Sequence, residues 1–79
     1  MERVIKEIKP LSDYVLEVVS ARNGSVIRLQ MKQYLDRPRF YGLRSEEAWA
    51  SAETDGFMVR WPGVAELSFE EIAKRVFDY

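Results

Sequence analysis

The sequence predicts a small α+β domain: an antiparallel three-strand meander, a short helical segment, a second β-hairpin and a C-terminal helix packed on the sheet. Two Gly-containing pairs, Asn23-Gly24 and Asp55-Gly56, each stand between apolar-rich runs. Such pairs favour tight hairpin turns because both residues tolerate positive φ. The Ser-x-x-Glu pattern at residues 68–71 is typical of a helix start. Seventy-nine residues leave room for one domain, residues 1–79.

The first strand is expected at residues 3–9, where apolar residues are separated by charged ones. Pro10 should end it, because proline has no backbone N–H for a sheet ladder. Residues 11–13 then form a tight connection into the next strand, so the first three strands form a meander.

The first hairpin has a predicted register, with Asn23 and Gly24 as its two loop residues. Arg22 should pair with Ser25, Ser20 with Ile27, Val18 with Leu29 and Leu16 with Met31. The last three pairs share one mostly apolar face, which is expected to be buried. The opposite face should pair Val19 with Arg28 and Glu17 with Gln30, which suits partial exposure.

The middle of the chain is expected to be a helical turn at residues 31–35 followed by an ordered loop. Pro38 disfavours helical backbone at Arg37, so a long helix is not predicted there. A short helix should begin near Ser45, because a serine hydroxyl can accept an orphan backbone N–H. Its inward face would be supplied by Leu43, Ala48 and Trp49.

The second hairpin is predicted at residues 51–61, with Asp55 and Gly56 in the loop and Pro62-Gly63 ending the strand. This register pairs Thr54 with Phe57, Ala52 with Val59 and Ala50 with Trp61. Small residues would then lie opposite large ones, on a face suited to the core.

The last helix begins with the capping box of Ser68 and Glu71. Its apolar residues follow one stripe at helical spacing, namely Phe69, Ile72, Ala73, Val76 and Phe77. Glu70–Lys74 and Glu71–Arg75 are predicted as favourable i, i+4 pairs on the other face.

Histidine and cysteine are both absent. This removes Ser-His and Cys-His nucleophile systems, imidazole and thiolate metal sites, and disulfides. The four glycines form no phosphate-binding motif. A hard-ion site from Asp55, Glu66 and Glu70 stays open as an alternative, although the EF-hand spacing is missing. We therefore predict no enzyme activity, no catalytic residue, no metal site and no cofactor.

No apolar run approaches the roughly 20 residues needed to cross a bilayer. The first seven residues alternate charged and apolar side chains and lack a signal-peptide core. The expected location is cytoplasmic, with no membrane partner.

Charge is unevenly distributed along the chain. Residues 1–44 carry nine Lys or Arg against five Asp or Glu, a net +4, whereas residues 45–79 carry three against eight, a net −5. Such asymmetry can mark a surface for an anionic partner or for self-association, although folding can also intersperse the charges.

The basic and aromatic loop at residues 32–44 is the best functional candidate. The partner-binding residues predicted in it are Lys32, Tyr34, Arg37, Arg39, Tyr41 and Arg44. The cations could contact phosphates while the tyrosines stack on bases. In the alternative, Tyr34, Leu35 and Phe40 plug the end of the sheet and the cations are only solvated. A sequence pI of about 5.4 argues against non-specific nucleic-acid binding.

Several short blocks occur in order along nearly the whole chain. They are Ile8-Lys9-Pro10-Leu11, Asp13-Tyr14, Asn23-Gly24, Lys32-x-Tyr34-Leu35, Val59-x-Trp61-Pro62 and Ala65-Glu66-Leu67. Together they resemble the bacterial domain-of-unknown-function family 2442. The chain departs from that family at Gln30, where members often carry Asp, and at Gly63-Val64, where members often carry Asn-Gly.

The resemblance implies a fold of three strands, a helical segment, two strands and a helix, with no established activity. Members are commonly encoded beside a second small protein, which implies an antitoxin-like role with that protein as partner. We therefore predict a non-catalytic protein-interaction module that uses an exposed sheet edge or the loop at residues 32–44. Self-association as a homodimer is also expected of so small a domain. The alternative is a nucleic-acid-binding transcriptional or translational regulator that uses the same loop.

Overall fold

The computed structural model describes residues 2–74, and six strands, two α-helices and three 3₁₀ segments follow one another within them. The strands are β1 (Ile5–Leu11), β2 (Val15–Ser20), β3 (Val26–Gln30), β4 (Glu53–Thr54), β5 (Met58–Trp61) and β6 (Ala65–Ser68). The helices are α1 (Glu46–Ala50) and α2 (Phe69–Lys74), and the 3₁₀ segments are Ser12–Tyr14, Lys32–Tyr34 and Pro38–Arg44.

The strands form two antiparallel sheets of three strands each. The first sheet has the order β1-β2-β3 and the second the order β4-β5-β6. Both sheets follow chain order, and α2 packs on β3 and β6. The predicted α+β class, the three-strand meander and the C-terminal helix packed on the sheet are therefore confirmed.

The first hairpin has a four-residue loop, so the two-residue turn predicted at Asn23-Gly24 is wrong. Leu16 pairs with Leu29 and not with Met31, which moves the register by two residues. Every other predicted pair differs by the same two residues. Val18 pairs with Ile27, Glu17 with Arg28, Val19 with Val26, and Ser20 lies opposite Ser25. An even shift keeps every side chain on its predicted face, so the apolar face is buried as expected.

Side-chain hydrogen bonds explain the longer loop. Gly24 has positive φ (73°), whereas Asn23 does not, so the two-residue turn lacks its required conformation. Asn23 Oδ1 instead accepts from the Ser25 N–H at 3.0 Å, and Ser20 Oγ accepts from the Arg22 N–H at 3.2 Å. These contacts satisfy backbone donors that a two-residue turn would have placed in the ladder.

Pro10 does not end the first strand, contrary to the sequence-based expectation. It lies inside β1 and pairs with Leu16. Because β1 is at the edge of its sheet, the missing N–H of proline faces away from β2 and breaks no ladder bond.

The second hairpin is also displaced by two residues from its predicted register. Thr54 pairs with Val59 and not with Phe57, and Trp61 pairs with Ala65 of β6 and not with Ala50. The predicted pairing of Ala52 with Val59 is likewise wrong. The β6 strand was not predicted, so the expected hairpin is in fact part of a three-strand sheet.

Asp55 organises the longer loop of this second hairpin. Its Oδ1 accepts backbone N–H groups from Phe57 at 2.8 Å and Met58 at 3.1 Å. The Thr54 hydroxyl accepts from the Gly56 N–H at 3.0 Å and donates to the Met58 carbonyl at 2.6 Å. These bonds replace the predicted two-residue turn.

One core joins the two sheets, α1, α2 and the segment between β3 and α1. Its fully buried large side chains are Trp61, Phe40, Ile5, Leu16, Met31, Leu43, Leu67, Ile72, Val18 and Val59. Trp61 stacks on Trp49, with ring centroids 5.7 Å apart, and its indole N–H donates to the Trp49 carbonyl at 3.1 Å. The Gly56 carbonyl accepts the N–H groups of Val4 and Ile5 at 2.9 and 2.8 Å, which links the second sheet to the start of β1.

Both predicted helix starts are confirmed. Ser45 caps α1 by accepting the Ala48 N–H. Ser68 and Glu71 form the capping box of α2, with reciprocal bonds of 3.1 and 3.2 Å. Ile72 is buried as predicted, and Lys74 pairs with Glu70 at 2.8 Å. Phe69 is partly buried, whereas Ala73 is exposed, so the predicted place of Ala73 on the buried stripe is wrong. Val76 and Phe77 of the stripe, and the predicted partner Arg75, lie outside the described residues.

Candidate functional site

The segment between β3 and α1 is ordered and attached to the core. Lys32–Tyr34 forms a 3₁₀ turn as predicted, and Arg37 has extended backbone (φ −82°, ψ 137°) before Pro38. The following 3₁₀ segment buries Phe40 and Leu43 completely. Of the three residues that the alternative interpretation assigned to the end of the sheet, Phe40 and Leu35 are buried in the core and Tyr34 is partly buried.

The basic side chains of the segment contact different parts of the fold. Lys32 Nζ lies 3.1 Å from Asp13 Oδ1, in the connection between β1 and β2. Arg39 reaches the second sheet and α2 instead, where Nη2 donates to the Glu66 carbonyl at 2.7 Å. These two predicted site residues are therefore not brought together on one surface by their contacts.

Arg39 and Glu71 form a two-bond ion pair. Arg39 Nη1 lies 2.7 Å from Glu71 Oε2, and Nη2 lies 3.0 Å from Oε1. This hydrogen bonding lowers the pKa of the Glu71 carboxyl from its ordinary value, with the Ser68 backbone N–H contributing and partial burial opposing the shift. The guanidinium of Arg39 therefore serves the packing of α2.

Arg44 is also used within the fold. Its Nε donates to the Leu35 carbonyl at 3.2 Å, and its Nη2 donates to Asp36 Oδ1. Its guanidinium carbon lies 5.0 Å from the centre of the Tyr41 ring. Tyr41 itself is 52% exposed, so this stacked pair lies at the surface.

Tyr34 and Arg37 form a second stacked pair in the same segment. The guanidinium carbon of Arg37 lies 5.4 Å from the Tyr34 ring centre, and both residues are partly buried. The six predicted residues thus form local pairs and ion pairs, and the tyrosine faces over which Arg37 and Arg44 lie are already covered by cations.

The outer edge of β3 is a candidate interaction surface, which the sequence predicted only as an exposed sheet edge. In the β2–β3 ladder the Ser20 N–H donates to the Ser25 carbonyl, and the Met31 N–H donates to the Tyr14 carbonyl. In an antiparallel ladder, hydrogen-bonded pairs alternate with pairs that are not hydrogen-bonded. The N–H and C=O groups of the even-numbered residues of β3 therefore point away from β2. The open edge is therefore formed by Val26, Arg28 and Gln30.

The residues that form the open edge are exposed. Within residues 2–74, β3 has a strand partner on one side only, since it ends the order β1-β2-β3. Val26 is 52% exposed, and Arg28 and Gln30 are exposed as well. Knowledge of the strand order was needed to find this edge, because the residue pattern of β3 does not distinguish an edge strand from a central one.

The described part of the chain has neither a metal-binding cluster of side chains nor a helix suited to a membrane. Among residues 2–74, no group of three acidic side chains converges to hold a metal ion, including Asp55, Glu66 and Glu70. No helix in the same range is long and apolar enough to cross a membrane.

Comparisons with known proteins add no relative. No protein-family model, curated protein or solved structure matches the chain.

Proposed function

We propose that this chain is a non-catalytic protein-interaction module whose open edge of β3 accepts a strand from a partner protein. The observation that carries the proposal is the outward row of backbone donors and acceptors at Val26, Arg28 and Gln30. A sheet edge of this kind is a template for strand addition, in which main-chain hydrogen bonds supply affinity and alternate side chains supply specificity.

The side chains of the open edge define the partner strand. Arg28 is exposed, with its Nε 3.2 Å from Glu17 Oε1 on the neighbouring strand. A carboxylate on the added strand, directly opposite Arg28, would form a favourable cross-strand pair. An apolar residue opposite Val26 would cover a valine that is now 52% exposed.

The same residues favour a different protein over a second copy. If two β3 strands paired along their full length about a two-fold axis, Arg28 would face Arg28 of the other copy. Like charges directly opposite each other destabilise a strand pair. A homodimer through this edge is therefore the less favourable assembly.

The partner proposed from the resemblance to family 2442 is a small protein encoded beside this one, with this chain as its antitoxin-like neutraliser. Co-expression and co-purification with the neighbouring gene product test the interaction, and rescue of growth tests neutralisation. Complex formation with rescue supports the antitoxin role. Absence of both rejects it.

A proline substitution in the open edge tests whether this edge is the surface that binds the partner protein. Arg28→Pro removes an outward N–H while sparing the ladder to β2, because proline is tolerated on edge strands. We expect it to abolish the complex, whereas Arg28→Ala, which keeps the N–H, should weaken the complex modestly. An unchanged thermal unfolding midpoint in both variants would show that loss of binding is not loss of folding.

Nucleic-acid binding through residues 32–44 is the second candidate. The stacked pairs Arg37–Tyr34 and Arg44–Tyr41 favour it, since arginine and aromatic groups both contact nucleic acids. The use of Arg39 in an ion pair with Glu71 argues against it. Titration against DNA and RNA at several salt concentrations should show affinity that falls steeply with salt. Charge reversal at Arg37, which stacks on Tyr34, should then weaken binding strongly, whereas reversal at Arg39 would also break its ion pair with Glu71.

A further inference from the structure

A cleft lies between the β1–β2 connection and the start of α1. It is lined by residues 10–14 together with Glu46 and Trp49, and its volume is about 300 Å³. This volume is at the lower end of the range of roughly 300–1,000 Å³ found for ligand pockets. It suits one long side chain better than a whole cofactor.

The walls of the cleft are held in place by contacts between distant parts of the chain. The Tyr14 hydroxyl donates to the Arg44 carbonyl at 2.7 Å, and the Trp49 indole N–H donates to the Leu11 carbonyl at 2.9 Å. The edge of one of these rings meets the other, with centroids 5.2 Å apart and planes at 64°. The cleft is therefore preformed, which lowers the entropic cost of binding.

The backbone at the cleft has an unusual conformation. Asp13 and Tyr14 are consecutive non-glycine residues with φ of 60° and 58°. Positive φ is uncommon for aspartate and rare for a bulky side chain. Both residues belong to the lining of the cleft.

The charged groups that line the cleft are both acidic. Asp13 pairs with Lys32 at 3.1 Å, but both side chains are largely exposed, at 74% and 69%, so this ion pair can exchange with another cation. Glu46 makes no ion pair with any residue of the described range 2–74. Aromatic and aliphatic walls beside two carboxylates complement an apolar stem that ends in a positive charge.

We propose that the cleft binds an arginine or lysine side chain presented by a partner protein. The methylene stem packs on Leu11 and Trp49, as the stems of long cationic side chains commonly do on apolar surfaces. The charged head lies between Asp13 and Glu46, near the face of Tyr14. This contact does not require the open edge of β3, because the cleft and that edge are formed by different residues.

The experiment is an NMR titration of the full-length, ¹⁵N-labelled protein with capped tripeptides that carry arginine, lysine or norleucine at the centre. Norleucine keeps the alkyl stem and lacks the charge. The indole N–H signal of Trp49 reports on the cleft, and the backbone amide signals of β3, which does not line the cleft, are the internal control. We expect the arginine and lysine peptides to shift the Trp49 signal saturably, with weaker binding at higher salt.

Charge-neutralising variants test the roles of the two acids. Asp13→Asn is suitable because asparagine also tolerates positive φ, and Glu46→Gln preserves size. Each should weaken binding of the arginine peptide by about two- to fivefold, the usual worth of an exposed ion pair. Glu47→Gln, which changes the neighbouring residue outside the cleft, should leave binding unchanged and serves as the matched control.

The remaining outcomes contradict the proposal. Equal binding of the norleucine peptide would show an apolar cleft without selectivity for cations. Binding of free butylammonium or butylguanidinium without binding of the peptides would assign the cleft to a small molecule. No shift at Trp49 with any probe, or equal effects of Glu46→Gln and Glu47→Gln, would also overturn it.

Discussion

Arg39 joins the segment between β3 and α1 to the helix α2 through an ion pair with Glu71. The two hydrogen bonds, of 2.7 and 3.0 Å, join side chains that are only 22% and 21% exposed. Two-bond contacts between a guanidinium and a carboxylate are among the stronger hydrogen bonds in proteins. Arg39 was predicted from the sequence to bind a partner, but these contacts give it a role in the fold.

Replacing Arg39 should destabilise the protein. We expect Arg39→Ala to lower the free energy of unfolding by about 1.5–3 kcal/mol, the range for hydrogen bonds to charged groups. Arg39→Lys should recover less than half of that loss, because an ammonium group cannot reproduce the two-bond geometry. Urea denaturation monitored by tryptophan fluorescence measures both.

Lys32→Ala is the matched control for Arg39→Ala. It removes a cation from the same segment, but the ion pair of Lys32 with Asp13 is largely exposed. Exposed pairs contribute about 0–1 kcal/mol, so the loss should be small. If the two alanine variants lost equal stability, the structural role assigned to Arg39 would be wrong.

The contribution of the Arg39–Glu71 pair should depend on pH. Arg39 lowers the pKa of Glu71 in the folded protein, below the ordinary value of 4.5. A carboxyl whose pKa is lowered by folding stabilises the protein above its unfolded pKa, and this stabilisation is lost as the pH falls through the folded pKa. The difference in unfolding free energy between wild type and Arg39→Ala should therefore narrow from about pH 7 to about pH 3.

Other carboxyls do not obscure this test. The pKa of Asp55 is also lowered, by the backbone N–H groups of Phe57 and Met58, but this effect is present in both proteins and cancels in the difference. A difference that stays constant across the pH range would exclude the assigned coupling of Arg39 to Glu71.

The first hairpin loop can be tested at Gly24. Its φ is +73°, and a Cβ added there meets no atom within 4 Å, so strain alone opposes a side chain. Gly24→Ala should cost about 1–2 kcal/mol of stability, whereas Gly24→Asn should cost less, because asparagine tolerates this conformation. Denaturation midpoints compare the two. Equal stability of wild type and Gly24→Ala would contradict the loop geometry.

Local signals in the sequence predicted the helix starts and the meander well. The hydrogen bonds of the Ser45 cap and of the Ser68–Glu71 capping box join residues that are only three positions apart. Their structure can therefore be predicted from neighbouring residues alone. The sequence also predicted which face of the sheet each strand residue occupies, because successive side chains of a strand point to opposite faces.

Local sequence signals did not predict the turn lengths or the long-range contacts. Asn23 and Asp55 accept hydrogen bonds from backbone N–H groups of their loops, so both loops are longer than predicted and both registers differ from the prediction by two residues. The four-residue strand β6 is too short to stand out between Pro62-Gly63 and the start of α2. The contact of Arg39 with Glu71 spans 32 residues, so no local pattern could separate a structural cation from a binding one.

Amide hydrogen exchange of β3, measured by NMR with and without the co-purified partner, tests the central claim most directly. In the protein alone, the outward amides of Val26, Arg28 and Gln30 should exchange fast, while those of Ile27 and Leu29 exchange slowly. In the complex, the three outward amides should become protected. Fast exchange of these amides in the complex, with new protection confined to residues 32–44, would contradict strand addition at this edge.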